Sequence, residues 1–187
     1  MLAKHMTHSD STTATAHQKL IYMTVTALFA ACICVTTAYF FHIPVGTNGG
    51  YVHVGDALIY IAASVLPMPY ALIAAALGGT MADLLTAPAW ALATFLIKML
   101  IALPLTSKKE TIVNIHNIIG IILSGFISMV GYSIAEVILF GTWASLLSSV
   151  LATLVQSGGS AVVFLLLGRA LDQILFKTMF HNMTNSN

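Results

Sequence analysis

Charged side chains are scarce in this sequence: seven Lys or Arg and six Asp or Glu among 187 residues, 7% of the chain against 58% hydrophobic. A soluble domain carries roughly a quarter charged residues, so this composition cannot build a water-facing surface. With a mean hydropathy of +0.93, the chain reads as an all-α integral membrane protein embedded in a lipid bilayer. No basic run exists to neutralise phosphates, which excludes a nucleic-acid partner. Cysteine is equally sparse. Cys32 and Cys34 lie two apart in one apolar run, point in different directions on a helix, and offer neither a disulfide nor a metal site. Catalytic signatures are also missing: there is no H-E-x-x-H, no G-x-S-x-G and no Walker A sequence, and no cofactor is implied. His5, His8 and His17 fall in a Ser/Thr-rich lead whose low hydrophobicity points to disorder rather than metal binding.

What is abundant is apolar length. Residues 20–41 form a first run of about 33 Å, enough to cross a hydrocarbon core. The polar lead before it argues against a cleaved signal peptide. Further runs cover 88–105, 117–141 and 143–168, while 57–82 is uncharged but carries Pro67 and Pro69 in its middle. Such prolines break a helix, so this stretch is one kinked helix or two short ones. Two helices give six spans. With the N-terminus in the cytoplasm, Lys4, Lys19, Lys108, Lys109, Arg169 and Lys177 then all face the cytoplasm, as the positive-inside rule prefers. The expected architecture is a compact bundle of six transmembrane helices over 20–177, with both termini cytoplasmic. A disordered polar tail precedes it at 1–19 and a short cytoplasmic tail follows at 178–187.

The remaining ionisable groups are informative because each costs at least about 2.5 kcal/mol at the bilayer centre. Asp56, Asp83 and Glu136 sit near the outer ends of their spans, and Lys98 lies well inside the fourth. Lys98 either snorkels toward the interface, pairs with an outer carboxylate, Glu136 or Asp83 being the candidates, or touches a ligand. The first outer connection, HIPVGTNGGYVHVGD at 42–56, is unusual. Gly46, Gly49, Gly50 and Gly55 permit close approach to a ligand, and Asn48, Tyr51, His53 and Asp56 add donors, acceptors and a flat ring. Irregular backbone at a membrane mouth is tolerated where it lines a polar cavity; a solvated loop is the plainer alternative. Trp90, Tyr132 and Trp143 could stack on a small planar solute, although tryptophans also anchor at membrane interfaces. Small residues recur four apart at Ala27 and Ala31 and at Ala74, Gly78 and Ala82. Such a stripe serves internal helix packing or, on an outward face, docking of another membrane protein.

The segments GGYVHVGDALIYIAA, LIAAALGGTMADLL and ATFLIKMLIALPL resemble the substrate-binding S-component of energy-coupling factor (ECF) vitamin transporters, in the riboflavin-type or hydroxymethylpyrimidine/pyridoxine-type branch. The resemblance spans about 20–177. It implies a non-enzymatic, high-affinity binding subunit of a bacterial plasma-membrane importer, capturing one vitamin or precursor. It also implies two sets of partners, a membrane T-component and two cytoplasmic ATPase subunits. On the matching positions, Gly49, Gly50, Tyr51, His53, Gly55 and Asp56 would belong to a lid and its hinge, and Asn48 beside them is a further candidate for the ligand by its side chain alone. Lys98, Tyr132 and Glu136 would line the pocket, with Trp90 as the stacking face already named, and Ala27 and Ala31 would dock on the T-component. This reading expects Asp56→Ala to weaken binding with the fold intact. Two other readings compete. An intramembrane enzyme could use Asp56 with Asp83 or Glu136 as an acid/base pair; His53-Val54-Gly55-Asp56 matches the G-x-G-D of intramembrane aspartyl proteases except at its first residue. An ion or proton pathway could instead use Lys98 and Glu136.

Overall fold

The computed structural model describes residues 2–40, 42–45, 50–141 and 146–185. Its elements are helix α1 (Leu2–Tyr39), strands β1 (Ile43–Val45) and β2 (Gly50–Val52), and helices α2 (Asp56–Val65) and α3 (Met68–Thr86). A 3-10 turn (Pro88–Trp90) then leads into α4 (Ala91–Ala102), α5 (Ile115–Phe140), α6 (Leu146–Gln173) and α7 (Phe176–Asn185). The Pro67/Pro69 stretch is two helices: α2 ends as Leu66 turns extended (ψ 148°), and Pro67 (ψ 144°) carries the chain to α3, where a proline takes a first-turn position that needs no N–H partner.

Four segments are long and apolar enough to cross a membrane: Ala16–Tyr39, Met68–Thr86, Ile115–Phe140 and Ser149–Gln173. Asp56–Val65 and Pro88–Ala102 are shorter, so two of the six expected spans lack spanning length; at 1.5 Å per residue α2 covers only about 15 Å. Helix α1 starts at Leu2, ahead of the span that begins at Ala16. Propagating a helix from an established span is far easier than nucleating one, and the lead holds neither glycine nor proline to stop it. Residues 178–185 fall within α7, which starts at Phe176 directly after Leu175, at φ 53°.

Helix α1 packs along α3, α3 on α4, and α5 on both α4 and α6, with α2 held against α1, α3 and α6. Enclosure explains the composition of α2. Nine of its ten residues are buried, so it is apolar all round rather than on one stripe. Lipid is as apolar as leucine, so close approach of backbones, not the hydrophobic effect, draws these helices together. The Ala74, Gly78 and Ala82 stripe does this work: all three are buried, and Gly78 faces Ala30 and Ile33 of α1. Ala27 and Ala31 are exposed.

Two polar devices close the far end of the bundle. Asn114 caps α5 by accepting from the Asn117 amide at 3.1 Å, and the Asn117 carboxamide donates to Ser64 Oγ on α2 at 3.0 Å and to Ile112 O at 3.0 Å. Asp172 of α6 accepts from the Ile112 and Val113 amides at 2.7 and 2.9 Å. The 103–114 connection is thereby tied to three helices.

Candidate functional site

The 42–56 connection folds into a hairpin, with Ile43 opposite Val52 and Val45 opposite Gly50, which packs against α6. Behind β2 the chain turns into α2 at Gly55. A Cβ there would fall 2.0 Å from Thr37 Oγ1 of α1 and 3.0 Å from His53 Nδ1, so only glycine lets the hairpin descend this close to α1. Asp56 follows as the first residue of α2, where the free amides of a helix N-terminus favour a negative charge.

Asp56 is the hub of a buried polar cluster. Lys98 Nζ of α4 donates to its Oδ1 at 2.6 Å, and Gln156 Nε2 of α6 donates to its Oδ2 at 2.9 Å. Exposure is 0% for Asp56, 1% for Lys98 and 6% for Gln156. Lys98 therefore does not snorkel, and its partner is Asp56 rather than Glu136 or Asp83. Helix packing decides this: α2 is short and enclosed, which sets its first residue beside α4. The stem of Lys98 lies along α3, where a Cβ at Gly79 would meet its Cγ at 2.7 Å. Its ammonium also sits 5.3 Å from the centre of the Tyr132 ring, within cation–π range.

The hairpin adds an aromatic layer. Tyr51 donates its hydroxyl to Asp83 of α3, stacks on His42 with ring centres 3.9 Å apart, and lies 5.5 Å from the His53 ring. On the α4–α5 side Trp90 packs 6.0 Å from Tyr132 and 5.4 Å from Phe140, and Thr94 shares a 3.1 Å hydrogen bond with the Tyr132 hydroxyl. Tyr51, His53, Gly55, Asp56, Lys98, Trp90 and Tyr132 thus gather at one end of the bundle, Gly50 lies in β2, and Glu136 is buried on α5. Asn48 and Gly49, with Gly46 and Trp143, lie outside the described residues. An acid/base pair of Asp56 with Asp83 or Glu136 is not favoured, because Asp56 is paired with Lys98 and Gln156 instead. Gln156, Thr94 and Thr37 were missed from the sequence; Gln156 alone left a signal, as the one carboxamide in the apolar run of α6.

His53 is buried, and its unprotonated Nδ1 accepts the Gly55 amide at 2.9 Å. Burial first, then the Lys98 charge, with nearby Asp56 opposing, pushes its pKa from 6.5 down to about 3. A depressed histidine pKa means that the unfolded chain takes up a proton that the folded chain refuses, so stability falls as pH drops below about 6.5. The wild-type melting temperature is expected to decline between pH 7.5 and 5, and that decline should flatten in His53→Gln. Parallel pH profiles for the two proteins would dissociate His53 from the effect.

Residues 18–173 match the family model described as ECF-type riboflavin transporter, S component. Among curated proteins none matches the chain.

Proposed function

The chain belongs to the ECF-type riboflavin transporter S-component family, and on that premise we propose that it captures riboflavin or a similarly flat heteroaromatic vitamin beneath the 42–56 hairpin. Family membership makes it a membrane-bound, non-enzymatic subunit of vitamin uptake. The observation that carries the ligand site is the convergence of Tyr51, His53, Asp56, Lys98, Gln156 and Tyr132 from the hairpin and four helices at one end of the bundle. Rings from Tyr51, Trp90 and Tyr132 offer faces for a planar solute, and the lysine–aspartate–glutamine chain offers both donors and acceptors to its edge. Gly55 acts as the hinge on which the hairpin meets α2.

In this reading the chain crosses the bacterial plasma membrane six times with both termini cytoplasmic, the short α2 and α4 completing their crossings with the non-helical residues that flank them inside the bundle. The basic residues Lys19, Lys108, Lys109, Arg169 and Lys177 then share the inner side. Ala27 and Ala31, exposed on α1, form the docking stripe for a T-component that couples to two ATPase subunits. The chain holds no Walker A sequence of its own.

Flavin fluorescence gives the direct test. Titrating purified protein into riboflavin should quench emission with one site per chain and a nanomolar-range dissociation constant, about 12 kcal/mol of binding free energy. Pyridoxine and hydroxymethylpyrimidine serve as competitors that place the chain within its branch. Failure of all three, in protein that melts cooperatively, would remove the vitamin-binding reading.

A further inference from the structure

A second polar site lies at the opposite end of the bundle. Val65, the last residue of α2, lines a cavity of about 520 Å³ bounded by α1, α7 and the 103–114 connection. The length of α2, about 14 Å from Asp56 to Val65, separates this cavity from the ion pair. Its charge is lopsided: Lys108, Lys109 and Lys177 line it against one carboxylate, Glu110. Tyr22 and Phe180, whose rings pack 5.9 Å apart, supply part of an apolar wall.

Lys177 is the informative residue. Its Nζ is buried and has no hydrogen-bond partner among the described residues. Asp172 attracts it through space, but both Asp172 oxygens are taken by the Ile112 and Val113 amides. Burial lowers the Lys177 pKa to about 8, which still leaves the ammonium charged at neutral pH. A buried charge without an acceptor is costly, and such groups are paired in stable proteins. Lys177 and Thr178 also belong to the first turn of α7 and line the same cavity, and the unpaired amides of a helix start favour anions.

We infer that this cavity is a binding site for a phosphate-bearing anion, with Lys177 as its buried ligand and Lys108 and Lys109 as its outer cationic rim. The chemistry is shared by two sources: the headgroup of an anionic phospholipid, and a free phosphate. The cavity sits where the first span begins and the last one ends: its lining runs from Tyr22, in the first turns of the Ala16–Tyr39 span, to Lys177 and Thr178, just past the Gln173 end of the last, the depth at which basic pockets between helices meet headgroups.

Thermal melts of the full-length protein in neutral detergent test this without any vitamin. Phosphatidylglycerol in mixed micelles, or inorganic phosphate against chloride at matched ionic strength, should raise the wild-type melting temperature saturably. Phosphatidylcholine should not. Lys177→Met removes the stranded charge, so without anion it should melt at or above wild type, while the half-saturating anion concentration rises about tenfold or more. Lys108→Gln/Lys109→Gln, on exposed residues, should also weaken the response without altering the anion-free melt. Stabilisation by phosphatidylglycerol alone assigns a lipid headgroup, and stabilisation by phosphate alone assigns a soluble anion. Equal shifts with phosphatidylcholine, no shift with either anion, or an undiminished response in Lys177→Met would each overturn the site.

Discussion

Asp56→Ala is expected to destabilise the protein by about 3–5 kcal/mol, because it strands a buried ammonium. Lys98 has 1% exposure and its Nζ donates to Asp56 at 2.6 Å; the truncation also leaves the Gln156 amide without its acceptor. This revises the expectation from sequence that Asp56→Ala would weaken binding while sparing the fold. The informative companion is Asp56→Leu/Lys98→Met, which replaces both charges with apolar groups of similar volume. Pairs so replaced are commonly neutral or more stable by about 1–4 kcal/mol. Thermal melts and flavin titrations on the four proteins of the cycle therefore separate two roles: the double variant should recover the melt and still fail to bind flavin. A single variant that melts like wild type, or a double variant as unstable as the single, would show that Asp56 and Lys98 are not a buried pair.

Gly78→Leu should be the most damaging change in the helix packing. A Cβ at Gly78 would lie 2.7 Å from Ile33 Cβ and 2.8 Å from Ala30 O. The carbonyl is backbone, so relief requires α1 to move away from α3 as a body. Overpacking of this kind costs about 1–3 kcal/mol for small insertions, and more for a whole leucine. Moving α1 also carries Thr37 away from Gly55, so loss of flavin binding should accompany the loss of stability. Ile33→Ala cannot rescue the variant because the Ala30 carbonyl remains. The control sits one residue away: Leu77 is 47% exposed, and Leu77→Ala should stay within about 0.5 kcal/mol of wild type. A Gly78→Leu protein with unchanged melt and binding would contradict the α1–α3 contact.

The membrane class and the helix break at Pro67 were legible because each follows from local composition: charge content, apolar run length and a missing amide. The hairpin was not. Residues 42–56 showed their glycines and polar groups, but the pairing of Ile43 with Val52 depends on two short strands packing against α6. The importance of Lys98 was legible from the cost of a charge at membrane depth, yet its partner was misassigned, since Asp83 and Glu136 lie equally near the outer ends in sequence. Thr37 and Thr94 gave no signal at all, because a threonine in an apolar helix reads as a residue bonding its own backbone.

The sequence by itself determined that the chain lives in lipid, which apolar runs it has, and where its few charges stand along them, because transfer free energies depend on composition and run length alone. Only the tertiary structure decided which of those charges meet. Asp56 joins Lys98 and Gln156, 42 and 100 positions away, because a short helix enclosed by its neighbours sets its first residue between α4 and α6, and that placement is a property of packing rather than of any segment.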